Sequence, residues 1–204
     1  MGERRRLIRV KLTRMRATAL ILVLTFVCPF PSFAENLASG ARSEPPVEVV
    51  LDSGEQSGHA TATVRIHARR DTLWRVLTSC AEAIKIVPGL QTCEVEATAP
   101  DQSWQTIRQV VDYSWYMPRV SYVMKATYEK PRSIDFDKVS GDPMSLSGSW
   151  TLDSDGDYTV AHYALDFAPG FWVPRWLVRA AMKRDLPKML RALRERAELT
   201  DGEQ

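Results

Sequence analysis

From Leu90 to Phe167 the sequence is written almost wholly in a period of two, and it then closes with one long segment written in a period near 3.6. LQTCEVEA aligns Cys93, Val95 and Ala97. SWQTIRQVVDYSW aligns Ile107, Gln109, Val111, Tyr113 and Trp115, and SYVMKATYE aligns Tyr122, Met124, Ala126 and Tyr128. RSIDFDKV supplies Ile134 and Phe136, GDPMSLSGSWTL supplies Met144, Leu146, Trp150 and Leu152, and YTVAHYALDF supplies Ala161, Tyr163, Leu165 and Phe167. The closing segment, 173–199, places Val178, Met182, Leu186, Met189, Leu193 and Ala197 near i+3/i+4 spacing, with Pro174 at its start and a kink expected at Pro187. A sheet with one apolar face and a helix with one apolar face must bury each other. The fold class is therefore α+β: a curved antiparallel sheet wrapped around a long C-terminal helix.

Ahead of this run, VEVVL (47–51) and ATATVRIHA (60–68) read as strands. DTLWRVLTSC, with Asp71 as N-cap, and AEAIKIV, stopped by Pro88-Gly89, read as two short helices that follow the opening strand region. Residues 1–34 read as a secretory leader: seven basic residues, the apolar run ATALILVLTFV and a small-residue cleavage site ending at Ala34. The alternative is an uncleaved anchor, although 17–30 falls short of the ~20 residues that span a bilayer. Residues 35–46 form a polar lead-in, 47–199 the folded domain and 200–204 a tail. The leader carries seven basic residues and one acidic, so a whole-chain charge of +2 becomes −4 without it. The electrostatic case for nucleic acid goes with it. Cys28 belongs to the leader; the remaining pair, Cys80 and Cys93, is expected to form a disulfide in a bacterial periplasm, with two buried free thiols as the alternative.

Gly148 stands on the apolar face of GDPMSLSGSWTL, where a side chain is expected. A glycine inside a strand marks a bend or a close approach. On a sheet that curls around a helix it would permit curvature and leave free space beside Trp150. With this pattern in place, DTLWRVLTSC, the VPGL break, GDPMSLSGSWTL and FAPGFWVPRWLVRAAMKRDLP together resemble the START-like, helix-grip superfamily. The nearest members are the polyketide cyclase/dehydrase and coenzyme-Q-binding START-domain proteins. The resemblance spans about 60–198 and implies an apolar cavity between sheet and helix that takes lipids, isoprenoid quinones, sterols or polyketides. At the junction of the first two helices, where relatives often carry an Asp-Tyr pair, this chain has Ser79-Cys80.

The expected ligand-binding residues are Gln109, Tyr113, Trp115, Tyr122, Met124, Gly148, Trp150, Tyr163 and Phe167: aromatic and apolar side chains with a few polar groups to orient a ligand. The inward strand faces offer no carboxylate or histidine for acid–base work. Arg108, Asp112, His67 and His162 fall on outward faces, and His59 falls in a loop. DSDGD (153–157) fits a hairpin turn better than a calcium loop, and no metal or cofactor motif is present. The expectation is a periplasmic carrier for a lipid- or isoprenoid-quinone-like molecule; the alternative is a polyketide cyclase or dehydratase. A rim of Trp115, Tyr116, Met117, Phe171, Trp172 and Trp176, flanked by Arg119 and Arg175, is expected to touch a membrane transiently or else to plug the ends of the core.

Overall fold

The computed structural model describes residues 47–51, 57–113 and 118–203. The expected leader and lead-in lie outside these, as do Trp115, Tyr116 and Met117. The strands are β1 (Val47–Leu51), β2 (Gly58–Ile66), β3 (Leu90–Thr98), β4 (Trp104–Val111), β5 (Val120–Glu129), β6 (Ser133–Gly141), β7 (Ser145–Asp155) and β8 (Tyr158–Ala168). The helices are α1 (Arg70–Leu77) and α2 (Cys80–Ile86), between β2 and β3, and α3 (Arg175–Gly202) at the end. All eight strands form one antiparallel sheet in the order β1-β2-β8-β7-β6-β5-β4-β3. From β3 to β8 each strand pairs with the next. Among the described residues, α1–α2 is the excursion that carries the chain from β2 to the far edge of the sheet.

The period-two faces become the concave surface. Ile107, Ala126, Ile134, Phe136, Trp150, Leu152, Ala161 and Tyr163 are buried there, against Val178, Met182, Leu186, Met189, Leu193 and Ala197 of α3. The bend comes from three register shifts, at Leu90/Thr92 and Val95/Ala97 between β3 and β4 and at Val123/Met124 between β5 and β6. Each inserts extra backbone on one strand and increases its twist. The hairpin from Asp155 to Tyr158 turns through Gly156 at φ 61, which suits glycine.

Several local expectations are corrected. Asp71 lies inside the first turn of α1, where its charge favours the helix dipole; Arg69 is the cap, without a side-chain bond. α2 is capped by Ser79, whose Oγ accepts from Glu82 N. Val95 is 45% exposed and Ala97 is exposed too, because β3 is the sheet edge and α3 does not reach its outer half. Met144 precedes β7 and is 73% exposed, so it shares no buried face with Leu146. His59 belongs to β2 and bonds Asp166 from the outer face. Finally, α3 runs as one element through Pro187 and beyond Leu199 to Gly202. Its last turn is tied to α1: Thr72 donates to Asp201 Oδ1 at 2.6 Å and Arg69 Nε lies 3.0 Å from the same oxygen.

Candidate functional site

Sheet and helix do not meet everywhere. Between the concave face, α2 and the first half of α3 lies a cavity of about 260 Å³, just below the ~300–1,000 Å³ usual for small-molecule sites. β4, β5 and β6 contribute Ile107, Gln109, Tyr122, Met124 and Phe136. β7 and β8 contribute Trp150, Tyr163 and Phe167, and α3 contributes Val178, Met182, Leu186 and Met189. Ile86 and Val87 close it from α2, which a Cys80–Cys93 disulfide ties to β3.

Strand register decides which polar groups meet. Gln109 stands opposite Tyr122 on β5 and Cys93 on β3. The Tyr122 hydroxyl donates to Gln109 Oε1 at 2.7 Å, while Gln109 Nε2 finds only the Cys93 Sγ, at 3.9 Å. Tyr163 stands opposite Trp150, with ring centroids 4.4 Å apart, and stacks on Phe136 at 6.4 Å. Burial holds the phenols neutral. It pushes Tyr113 up to about 12, helped by the negative charge of Asp185, and raises Tyr122 and Tyr163 well above the ordinary phenol value.

Of the nine expected ligand-binding residues, Gln109, Tyr113, Tyr122, Met124, Trp150, Tyr163 and Phe167 line this cavity. Trp115 lies outside the described residues. Trp150 borders the free space expected beside it, but Gly148 does not line the cavity. A Cβ at 148 would collide with the Ala164 carbonyl oxygen and sit 2.5 Å from the Phe136 ring, which lies over the glycine from the neighbouring strand. The glycine admits Phe136 rather than a ligand.

A second correction concerns charge. The cavity does contain a carboxylate: Asp185, from α3. Arg184 grips it at both oxygens, Nε to Oδ1 and Nη2 to Oδ2, each at 2.8 Å. The Asp185 side chain is 15% exposed, that of Arg184 45%. The signal for it was in the helical spacing, since Asp185 falls between Met182 and Leu186 on the one face that must turn inward. Among the described residues no group of metal-ligating side chains assembles, and no helix is long and apolar enough to cross a membrane. His67 and His162 lie outside the cavity, ringed by Tyr158 and by Asp153 with Thr63 respectively. Arg108 pairs with Glu96 on the outer face.

A curved sheet gripping a helix over a mostly apolar cavity defines a START-like, helix-grip domain. The chain belongs to the family described as polyketide cyclase / dehydrase and lipid transport, which it matches over residues 66–194. Among solved structures it is similar to a STAR-related lipid transfer protein from Xanthomonas axonopodis, at 21% identity and TM-score 0.67, covering 76% of this chain and 94% of that one. The Zhui aromatase/cyclase from Streptomyces sp. R1128 is similar at 21% identity and TM-score 0.60, covering 70% and 94%. Human STARD10 is similar at 12% identity and TM-score 0.65, covering 80% and 72%. No curated protein matches the chain in sequence.

Proposed function

We propose that this domain carries a hydrophobic small molecule, lipid- or isoprenoid-like, and releases it unchanged. The observation that carries the reading is the cavity itself: it lies between sheet and helix and is apolar on nearly every wall, with a carboxamide at Gln109, phenols at Tyr113, Tyr122, Tyr128 and Tyr163 and one carboxylate at Asp185. The driving force is desolvation. Moving ~200 Å² of apolar ligand surface out of water is worth ~5 kcal/mol. The description of the family and the name of the Xanthomonas relative support lipid as the cargo. The basic, apolar leader pattern and the Cys80–Cys93 bridge support export to a periplasm, where such bridges persist. Trp172 and Trp176, 78% and 70% exposed beside Arg175 and Arg179, support a membrane-facing rim through which cargo passes. Phe171 does not join that rim; it packs on the core.

Native mass spectrometry of protein purified without detergent tests this reading. The expected result is an adduct of a few hundred daltons that organic solvent extracts intact. Protein that carries no adduct, and whose melting is indifferent to lipids, sterols and quinones, would sink it. A second reading, a cyclase or dehydratase, is favoured by one observation: Asp185 and the Tyr163 hydroxyl supply a base and an acid inside the cavity. Turnover of a polyketide-like substrate that Asp185→Asn lowers ~10²-fold would establish it.

A further inference from the structure

The polar groups of the cavity are unevenly matched. Asp185 is the only charged side chain among the described residues that line it, and the guanidinium that neutralises Asp185 lies largely outside, toward solvent. The Tyr163 side chain is 9% exposed, and no described side chain bonds its hydroxyl. Gln109 Nε2 has only a distant sulfur. The wall therefore offers spare donors from Tyr163 and Gln109, and spare acceptor capacity from a carboxylate whose oxygens each retain a free lone pair. Among the described residues that line it there is no cation.

Donors and an acceptor without a cation match one chemical class. An alcohol can accept from Tyr163 and donate to Asp185 or Gln109; a ketone or ester can accept from Tyr163 and Gln109. A carboxylate or phosphate would have to leave water for an apolar space that already holds one negative group, with nothing positive on the wall to meet it. Resting on the reading that the cavity holds an apolar molecule, we propose that it selects uncharged ligands bearing a hydroxyl or carbonyl at one end and rejects those ending in an anion. Free fatty acids and phospholipid headgroups are excluded by this rule; long-chain alcohols, sterol-like and quinone-like molecules are admitted. The raised phenol values agree, because neutral phenols stay donors across the physiological range.

Isothermal titration calorimetry at pH 7, on protein stripped of extractable lipid, tests the proposal with 1-decanol, methyl nonanoate and decanoate. The expected result is binding of the first two and at least ~100-fold weaker binding of the third. Tyr163→Phe, which keeps the ring against Trp150 and Phe136, should weaken decanol and the ester about three- to tenfold with melting unchanged. Asp185→Asn, which removes the resident negative charge, should narrow the gap between decanol and decanoate. Decanoate binding as tightly as decanol, or Tyr163→Phe leaving decanol binding untouched, overturns the selectivity while leaving the carrier reading in place. If none of the three binds, the carrier reading itself falls, and the selectivity with it.

Discussion

Gly148 leaves no room for even one added carbon. Its missing Cβ is the space through which the Phe136 ring and the Ala164 carbonyl approach. The carbonyl belongs to the backbone of β8 and cannot rotate aside, so Gly148→Ala must shift a strand or expel the ring. The expected cost is about 1–3 kcal/mol, the range for overpacking a tight core. Urea denaturation reads it directly, and an unchanged midpoint would show that the sheet yields there at no cost. The damage falls on folding first and on the cavity only through Phe136. Half of this was legible in the sequence: a glycine on an apolar face signals close approach, but only strand register says what approaches. Asp185 escaped for a different reason. Strand alternation says which charges of the sheet face inward, and it is blind to a residue that a helix turns toward the same space.

At the scale of elements, α2 is held through its first turn, by the disulfide from Cys80 to β3 and by an ion pair from Glu82 to α3. Arg196 Nε and Nη2 reach Glu82 at 2.6 and 3.0 Å, and Lys85 adds a third contact at 2.8 Å. Hydrogen bonds from Arg196 and then Lys85 hold the Glu82 carboxyl down from 4.5 to about 2. A depressed carboxyl stabilises the fold fully above its unfolded value and loses that contribution as pH falls through its folded value. The stability difference between the native protein and Glu82→Gln should therefore be constant above pH ~4.5 and close toward pH ~2. Denaturant titrations across that window check it, and a gap that persists at pH 2 would place the stabilisation elsewhere. Strand and helix existence was readable because both faces of this fold are patterned. The exceptions are instructive: Val95 and Ala97 follow the alternation, yet an edge strand has no helix opposite its outer half, and period alone does not reveal an edge. Likewise α3 runs three residues past Leu199, where the apolar pattern ends, because Asp201 reaches Thr72 and Arg69 at the far end of the sequence.

For the molecule as a whole, the exposed aromatics bear on where it works. Trp172, Trp176 and Met144 are apolar and face solvent, while Arg175, Arg179 and Lys183 are exposed along the first half of α3. The Met144 N–H donates to Ala168 O, which sets that methionine beside the segment leading into α3. Paired Trp172→Ser and Trp176→Ser changes should weaken sedimentation with vesicles containing anionic lipid about tenfold at low salt, with the melting temperature unmoved. A fall in melting temperature with vesicle binding intact would make the two tryptophans part of the core instead. The order of strands carries a separate consequence, for how the chain is made. β2 pairs with β8, so His59 must wait for Asp166, more than a hundred residues later, and the helix that covers the concave face is synthesised after every one of these strands. The neighbouring hairpins from β3 to β8 can form as they emerge, but their apolar side stays open until α3 arrives. A chain truncated anywhere before Arg175 keeps its strands and loses their cover, and such a fragment is expected to aggregate rather than fold.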